Sequence, residues 1–199
     1  MAKRSLTIIR DSGTIRVLSD LVRREILRLL AVEPQTESQL ADRLSLSKTS
    51  ASYHLKRLLG AGLVTVSFTR VGPHGILEKY YEPTSTLFLE DFDETPPEQR
   101  RYFVHGHIER LRGMLAAFGI MGGDDEIGEI DPEELKELAQ EIARRMTSIG
   151  ERYENLETNI KRESLLIEIY SETLRSVMAD GRWRKFFPLP TTENSKTRA

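Results

Sequence analysis

Between residues 47 and 57 the chain carries hydroxyl, phenol and cationic side chains but no carboxylate. At about 100° per residue along a helix, Ala51, Leu55 and Leu58 fall on one narrow apolar stripe. The remaining side chains can donate hydrogen bonds to phosphates and to base edges. A solvated structural face would more often carry Glu/Lys pairs, so we predict a DNA-contacting set in this segment. Its members are Ser47, Lys48, Thr49, Ser50, Ser52, Tyr53, Lys56 and Arg57.

The predicted DNA contacts divide by chemistry, because base edges carry sequence information and phosphates carry only charge. Contacts to base edges are expected from Lys48, Thr49, Ser50 and Tyr53. Contacts to phosphates are expected from Ser52, Lys56 and Arg57. A following hairpin brings three further groups that we expect to straddle the neighbouring backbone, namely Arg70, His74 and Lys79.

Two capped helices must position these groups. Thr36 can begin the first helix, and Gln39 stands where a capping box has its reciprocal partner. Ser47 is the natural N-cap of the second helix, which stops at Gly60. Two strand-like segments follow around a tip that contains glycine, at residues 64–70 and 77–81. The order predicts a helix-turn-helix with a two-stranded wing.

Several segments resemble the ArsR-type winged-helix regulators in the right order. The opening helices are matched at 15–20 and 23–30, the first helix of the motif at 39–44, and the recognition helix with its exit at 47–58 and 62–64. The sequence Glu-Lys-Tyr-Tyr at 78–81 is most like archaeal members. The resemblance covers residues 12–88 and implies a winged-helix DNA-binding domain. It departs at Leu21, where the family often has proline.

Composition indicates an intracellular protein. The 199 residues are 39% hydrophobic and 30% charged, and they include no cysteine, which excludes disulfides and thiolate metal sites. The first ten residues lack the apolar stretch of a signal peptide, and no run reaches the roughly 18 apolar residues of a membrane span. We therefore expect a cytoplasmic location.

Charge is distributed unevenly along the chain, although the formal net charge is only −2. Residues 1–85 hold 13 Lys/Arg against 8 Asp/Glu, which gives +5. Residues 86–199 hold 16 against 23, which gives −7. The basic excess lies with the predicted recognition helix, as expected if one half binds DNA, although such a difference also arises by chance between helical segments.

The second half of the chain begins after an acidic segment with paired prolines at 90–98, which predicts an exposed joint. A helix is expected from about 97 to 118. The acidic stretch 122–129 lacks the alternating oxygen ligands of a calcium loop and is interpreted as a solvated loop. We predict a helical dimerisation region over 97–187 and a disordered tail over 188–199.

A heptad-like series of apolar residues follows the strong helix start at Asp131 and Pro132. It predicts a long helix with a coiled-coil seam that Gly150 either continues or divides in two. The seam can pack within the chain as a hairpin or between subunits, and we favour dimerisation. The predicted dimerisation residues are Leu135, Leu138, Ile142, Met146, Ile149, Tyr153, Leu156, Ile160, Ile167, Tyr170 and Leu174.

Metal chemistry finds little support in the sequence. Some ArsR-like proteins hold metals through cysteines before the turn, but this chain has Leu40, Ala41 and Asp42 there. His105 shares a helix face with Glu109, whereas His107 points elsewhere. His54 is expected to be half-buried. The aromatic and basic segment at 181–188 is interpreted as docking onto the protein, with contact to DNA or an anionic surface as the alternative.

Together these patterns predict a mainly α protein with a small β wing (α+β), in which an N-terminal winged helix-turn-helix precedes a helical, coiled-coil region. The predicted function is that of a homodimeric, sequence-specific transcription regulator that binds double-stranded DNA at a pseudo-palindromic operator. A winged-helix protein-interaction module of a larger assembly is the alternative. We expect no enzymatic activity, no cofactor and no metal, because no nucleophile elbow, phosphate loop or paired metal motif occurs.

Overall fold

In the N-terminal half of the chain one strand precedes four helices and three further strands, and the described elements after them are helices. A computed structural model describes residues 4–72, 75–122, 130–154, 156 and 160–187. The elements in chain order are β1 (Arg4–Ile9), α1 (Ser12–Leu18), α2 (Leu21–Leu30), α3 (Glu37–Arg43), α4 (Lys48–Gly60), β2 (Val64–Val71), β3 (Leu77–Pro83), β4 (Ser85–Glu90), α5 (Pro97–Gly122), α6 (Pro132–Gly150) and α7 (Arg162–Met178). The predicted mainly α fold with a small wing is confirmed.

Side-chain caps explain where the N-terminal helices begin. The Asp20 carboxylate accepts a hydrogen bond from the Arg23 backbone N–H at 3.0 Å at the start of α2. At α3, Thr36 and Gln39 form the predicted capping box, with hydrogen bonds of 2.8 Å and 3.2 Å. These local bonds satisfy backbone N–H groups that have no partner within the helix.

The N-terminal helices and the wing share one hydrophobic core. Strands β2 and β3 pair antiparallel, and a backbone bridge between Gln35 and Tyr81 joins the segment before α3 to the wing. The buried members of this core are Ile9, Ile15, Val17, Leu18, Ile26, Leu27, Leu30, Leu40, Leu55, Leu58, Leu63, Val64 and Tyr81. The two helices of the helix-turn-helix therefore share their hydrophobic core with α1, α2 and the base of the wing.

A second core lies between a parallel strand pair and the C-terminal helices. Strand β1 pairs with β4, with Leu6 opposite Leu87 and Ile8 opposite Leu89. These four side chains point into the second core, whereas Ile9 and Phe88 contact the first. Since successive strand residues face opposite sides, this two-stranded sheet is packed between the two cores. The sequence patterns did not predict this pairing, and the division at 12–88 and 97–187 stays a prediction.

The C-terminal helices form a folded bundle instead of one long helix. Helix α6 packs against both α5 and α7. It ends at Gly150, where an added Cβ would lie 2.9 Å from a Leu89 methyl carbon. A short 3₁₀ turn at Glu151–Tyr153 follows, and α7 starts only at Arg162. Of the two alternatives that the sequence left open at Gly150, the structure has the divided helix. Gly150 itself keeps helical backbone angles and allows the close approach to Leu89, and the separation from α7 comes after the 3₁₀ turn.

The apolar series that we assigned to dimerisation lies largely inside one chain. Leu135, Leu138, Ile142 and Met146 are between 0% and 5% exposed. Ile149, Tyr153, Ile160, Tyr170 and Leu174 are partly buried against the same core. Leu156 and Ile167, in contrast, are 46% and 65% exposed. The heptad register therefore does not continue through α7, whose buried residues are Leu165, Ile169, Thr173 and Val177.

The segment at 90–98, which links the two halves of the chain, and the aromatic segment at 181–187 both pack partly against the protein. Asp93, Glu94, Pro97 and Glu98 are exposed, but Phe92 and Thr95 are only 4% and 1% exposed, so the prediction of an exposed joint holds for part of the segment only. Trp183, Phe186 and Phe187 are buried in the second core, which confirms that the aromatic segment docks onto the protein. The loop at 123–129 and the tail at 188–199 lie outside the described residues. In the part of the chain that the structure describes, no helix is long and apolar enough to cross a membrane.

Candidate nucleic-acid interface

Helix α4 separates a buried stripe from an exposed face, as its sequence predicts. Ala51, Leu55 and Leu58 are at most 1% exposed and fix the helix against the first core. The Tyr53 side chain is 57% exposed, although aromatic residues of this size are usually covered. Its ring meets the His54 ring edge to face, at 5.4 Å between centroids, and more than half of the side chain remains accessible to a partner.

Three cations of α4 are exposed and have no carboxylate neighbour within the described ranges. These are Lys48, Lys56 and Arg57. Many other arginines of the chain are paired, as Arg43 is with Glu33 at 2.6 Å. Because no carboxylate of the described residues pairs with the α4 cations, their charge remains available to attract phosphates.

The hydroxyl groups of the predicted set differ in availability. Ser47 caps α4 by accepting a hydrogen bond from the Ser50 backbone N–H at 3.1 Å, so its oxygen has a structural role. Thr49 is exposed, whereas Ser50 and Ser52 are half-buried. Among the serine and threonine side chains within α4, Thr49 is therefore the most accessible to a partner.

The wing carries an exposed aromatic stack beneath a cation. Phe68 and Tyr80 stack across β2 and β3 with ring centroids 4.5 Å apart and an interplanar angle of 14°. The Arg70 guanidinium lies 5.8 Å and 5.7 Å from the two ring centroids, which holds its charge on the wing surface. Lys79 is exposed on the same hairpin. His74, also predicted to contact the backbone, lies outside the described residues.

A polar contact joins the recognition helix to α2. The His54 Nδ1 atom lies 3.7 Å from an Asp20 carboxylate oxygen, and the His54 side chain is 13% exposed, in agreement with the half-buried position expected. Asp20 also caps α2. The sequence pattern does not indicate this role of Asp20, because the two residues are 34 positions apart and only the fold brings them together.

The described residues contain no group of three or more His, Asp or Glu side chains that could hold a metal ion. His105 and Glu109 are both exposed on α5, and His107 points to a different environment, as their spacing indicated. The interface thus consists of cations, hydroxyls and aromatic rings on α4 and the wing.

The fold and this face are typical of helix-turn-helix domains, which suggests a DNA-binding regulator. Comparison with protein-family models agrees, since the model described as a helix-turn-helix domain matches residues 18–67. The match runs from the end of α1 into β2 and covers less than half of the chain. No curated protein matches the chain.

Proposed function

We propose that this protein is a sequence-specific transcription regulator that binds a pseudo-palindromic operator as a homodimer. The exposed face of α4 carries the proposal, because Lys48, Lys56 and Arg57 are unneutralised beside an exposed Tyr53. A helix with a buried stripe and such a face fits the major groove, which is about 12 Å wide.

In this proposal the segment from Ser47 to Arg57 enters the major groove. Base edges are contacted by Lys48, Thr49, Ser50 and Tyr53, and phosphates by Ser52, Lys56 and Arg57. The wing contributes Arg70, His74 and Lys79 to the neighbouring backbone. Hydroxyl and phenol groups match the hydrogen-bond donors and acceptors of base edges, whereas the cations match the negative charge of the phosphates.

The homodimer follows from the small size of one recognition element. A single winged helix covers one short half-site, whereas two copies on a two-fold axis double the phosphate contacts and recognise a palindrome. Within the predicted dimerisation set, Leu156 and Ile167 are the members with large exposed areas. We propose that these two contribute to the contact between subunits, and that the buried members support it only by fixing α6.

The proposal is tested by selecting duplexes from a random library and then measuring affinity as a function of salt. Tyr53→Ala should weaken binding of the selected duplex by about 1–3 kcal/mol and leave random duplexes nearly unaffected. Lys56→Ala should weaken both and reduce the salt slope by about one unit. Lys136→Ala removes a helical lysine of α6 that pairs with Glu133 at 2.8 Å, and it serves as the matched control.

Unchanged affinity in both the Tyr53 and the Lys56 variants would refute the assignment of α4. Mass measurement of the free protein and of its complex with the selected duplex tests the dimer separately. One protein chain on a palindromic duplex at saturation would contradict it.

A specific observation favours the second candidate, a protein-interaction module. On the wing, Val71, Ile76 and Leu77 are 67%, 65% and 60% exposed. Such an apolar surface does not contribute to contacts with DNA phosphates and is typical of a protein-interaction site. If the protein failed to retard any duplex at about 50 mM salt, where phosphate contacts are strong, this alternative would replace the first.

A further inference from the structure

A cavity of about 310 Å³ lies where the two hydrophobic cores meet. Its walls come from α2, β4 and all three C-terminal helices. The volume falls within the range of small-molecule sites in proteins, roughly 300–1,000 Å³. Leu21 and Tyr102 line it and are 81% and 60% exposed, so the cavity is accessible from solvent.

The lining combines an apolar floor with an excess of positive charge. Leu87, Phe92, Phe103 and Met146 supply apolar and aromatic surface. Three guanidinium groups also line the cavity, from Arg24, Arg110 and Arg162. Against them stands one carboxylate, that of Glu90. Since the arginines remain charged at all physiological pH values, the cavity is positive around an apolar floor.

The carboxylate of Glu90 only partly offsets this charge. Its side chain is 17% exposed and is paired with Arg24. Burial raises the pKa of Glu90, whereas Arg24 and Arg110 oppose that rise. Of the other two guanidinium groups, that of Arg110 has no carboxylate partner among the described residues. That of Arg162 is paired with Glu163 at 2.7 Å, but the Glu163 side chain is 70% exposed, so a bound anion has to compete with a carboxylate that is largely in solvent.

Two uncharged polar groups complete the lining. Burial lowers the pKa of His107 to about 4, and Arg110 and Arg24 act in the same direction, so its imidazole is neutral near pH 7. Burial also raises the pKa of the Tyr170 phenol, against the opposing effect of Arg110. A neutral imidazole and a phenol can hydrogen-bond a carboxylate without adding charge.

We propose that this cavity binds a small organic anion, namely a carboxylate attached to an aryl or short alkyl body. The guanidinium group of Arg110 pairs with the carboxylate, Arg162 joins it by exchanging Glu163 for the ligand, and the apolar floor covers the body. Arginine suits this role because its planar donors match a carboxylate in a bidentate manner.

The position of the cavity also suggests an effect on DNA binding, a step that rests on the proposed function. Arg24 belongs to α2, donates a hydrogen bond to the Leu18 carbonyl, and lies 4.9 Å from the centroid of the Phe103 ring. Helix α2 packs against α4. A carboxylate that competes with Glu90 for Arg24 changes how α2 is held between the two cores, so anion affinity and DNA affinity should be linked reciprocally.

Binding is tested by calorimetry on the full chain with naphthoate, phenylbutyrate and octanoate, each beside its neutral amide. The acids should bind at least about tenfold more tightly than the amides, the scale expected for hydrogen bonds to a charged group. Arg110→Gln should remove most of that preference. Arg112→Gln, on the same helix but outside the cavity lining and paired with Glu109, should retain it.

A cavity-filling variant gives an independent readout. Gly106 lines the cavity, and a Cβ at this position would meet no atom within 4 Å, so Gly106→Leu should fill the space and abolish binding. Gly113→Leu, at an equally open position of α5 outside the lining, is the matched control and should bind as the wild type does.

The proposal is overturned if none of the three acids binds at about 1 mM, the weak limit of specific affinity. It is equally overturned if acids and amides bind alike, or if Gly106→Leu binds normally. DNA affinity with and without the acid separates the two proposals. Acid binding without any DNA binding leaves the cavity site standing and refutes the proposed function, whereas unchanged DNA affinity refutes only the linkage.

Discussion

Protonation of His107 should make the stability of this protein depend on pH below neutrality. Its imidazole lies in the cavity wall of α5, and burial, reinforced by Arg110 and Arg24, lowers its pKa from 6.5 to about 4. In the unfolded chain these influences are absent. Between the two values the unfolded state binds a proton that the folded state does not, so stability falls as pH falls from 6.5 towards 4.

The size of the effect follows from the two pKa values. Each unit of difference corresponds to about 1.4 kcal/mol, so the full loss approaches about 3 kcal/mol below pH 4. Between about pH 7.5 and pH 5, linkage gives a loss of about 2 kcal/mol from this one group. This is a large fraction of the roughly 5–15 kcal/mol that typically stabilises a domain.

Urea denaturation at closely spaced pH values measures this loss, and a histidine variant isolates it. His107→Gln should lose about 2 kcal/mol less than the wild type between about pH 7.5 and pH 5, whereas carboxylates that titrate in this range affect both proteins alike. His105→Gln, at an exposed position of the same helix, is the control and should follow the wild type. If His107→Gln and the wild type lost stability in parallel, the buried and neutral imidazole would be refuted.

Three further predictions concern packing and caps, and denaturant unfolding measures the stability changes. Gly150→Val should lower the free energy of unfolding by about 1–3 kcal/mol, because its Cβ meets a leucine methyl carbon at 2.9 Å. Gly113→Val, in open space, should change the free energy of unfolding little. Equal effects of the two substitutions would contradict the close contact at Gly150. Leu138→Ala, at a fully buried position, should cost about 2–5 kcal/mol. Val32→Ala, at a position that is 76% exposed, should cost less than about 0.5 kcal/mol, and a similar loss in both would argue against the core assignment. Ser47→Asp should keep the cap of α4 and therefore its stability, but weaken DNA binding in an anisotropy titration by repelling phosphate, whereas unchanged affinity would place the start of α4 away from the backbone.

The helix-turn-helix was predictable because its determinants are local. The Thr36–Gln39 capping box and the Ser47 cap each lie within three residues of the bonds they make, so the sequence pattern contains both partners. The stripe of Ala51, Leu55 and Leu58 has helical periodicity, which indicates the buried side and, by exclusion, the exposed one. The candidate interface on α4 follows from these two features.

The helical half was less predictable, because periodicity shows that a face is buried but not what covers it. Apolar residues do recur at helical spacing between Leu135 and Met146, yet they pack on α5, α7 and the strand pair of the same chain. Gly150 is a potential helix break in the sequence, but the methyl carbon that leaves no room for a Cβ there belongs to Leu89, 61 residues away.

What the sequence determined by itself is therefore the local part of this protein, namely the capped helices, the wing and the chemistry of the α4 face. Only the tertiary structure decided the parallel pairing of β1 with β4, the return of α7 onto α6, and the cavity that places Arg24, Glu90 and His107 together. Those arrangements depend on contacts between residues far apart in the chain, and side-chain spacing along one segment carries no information about which distant segment will cover it.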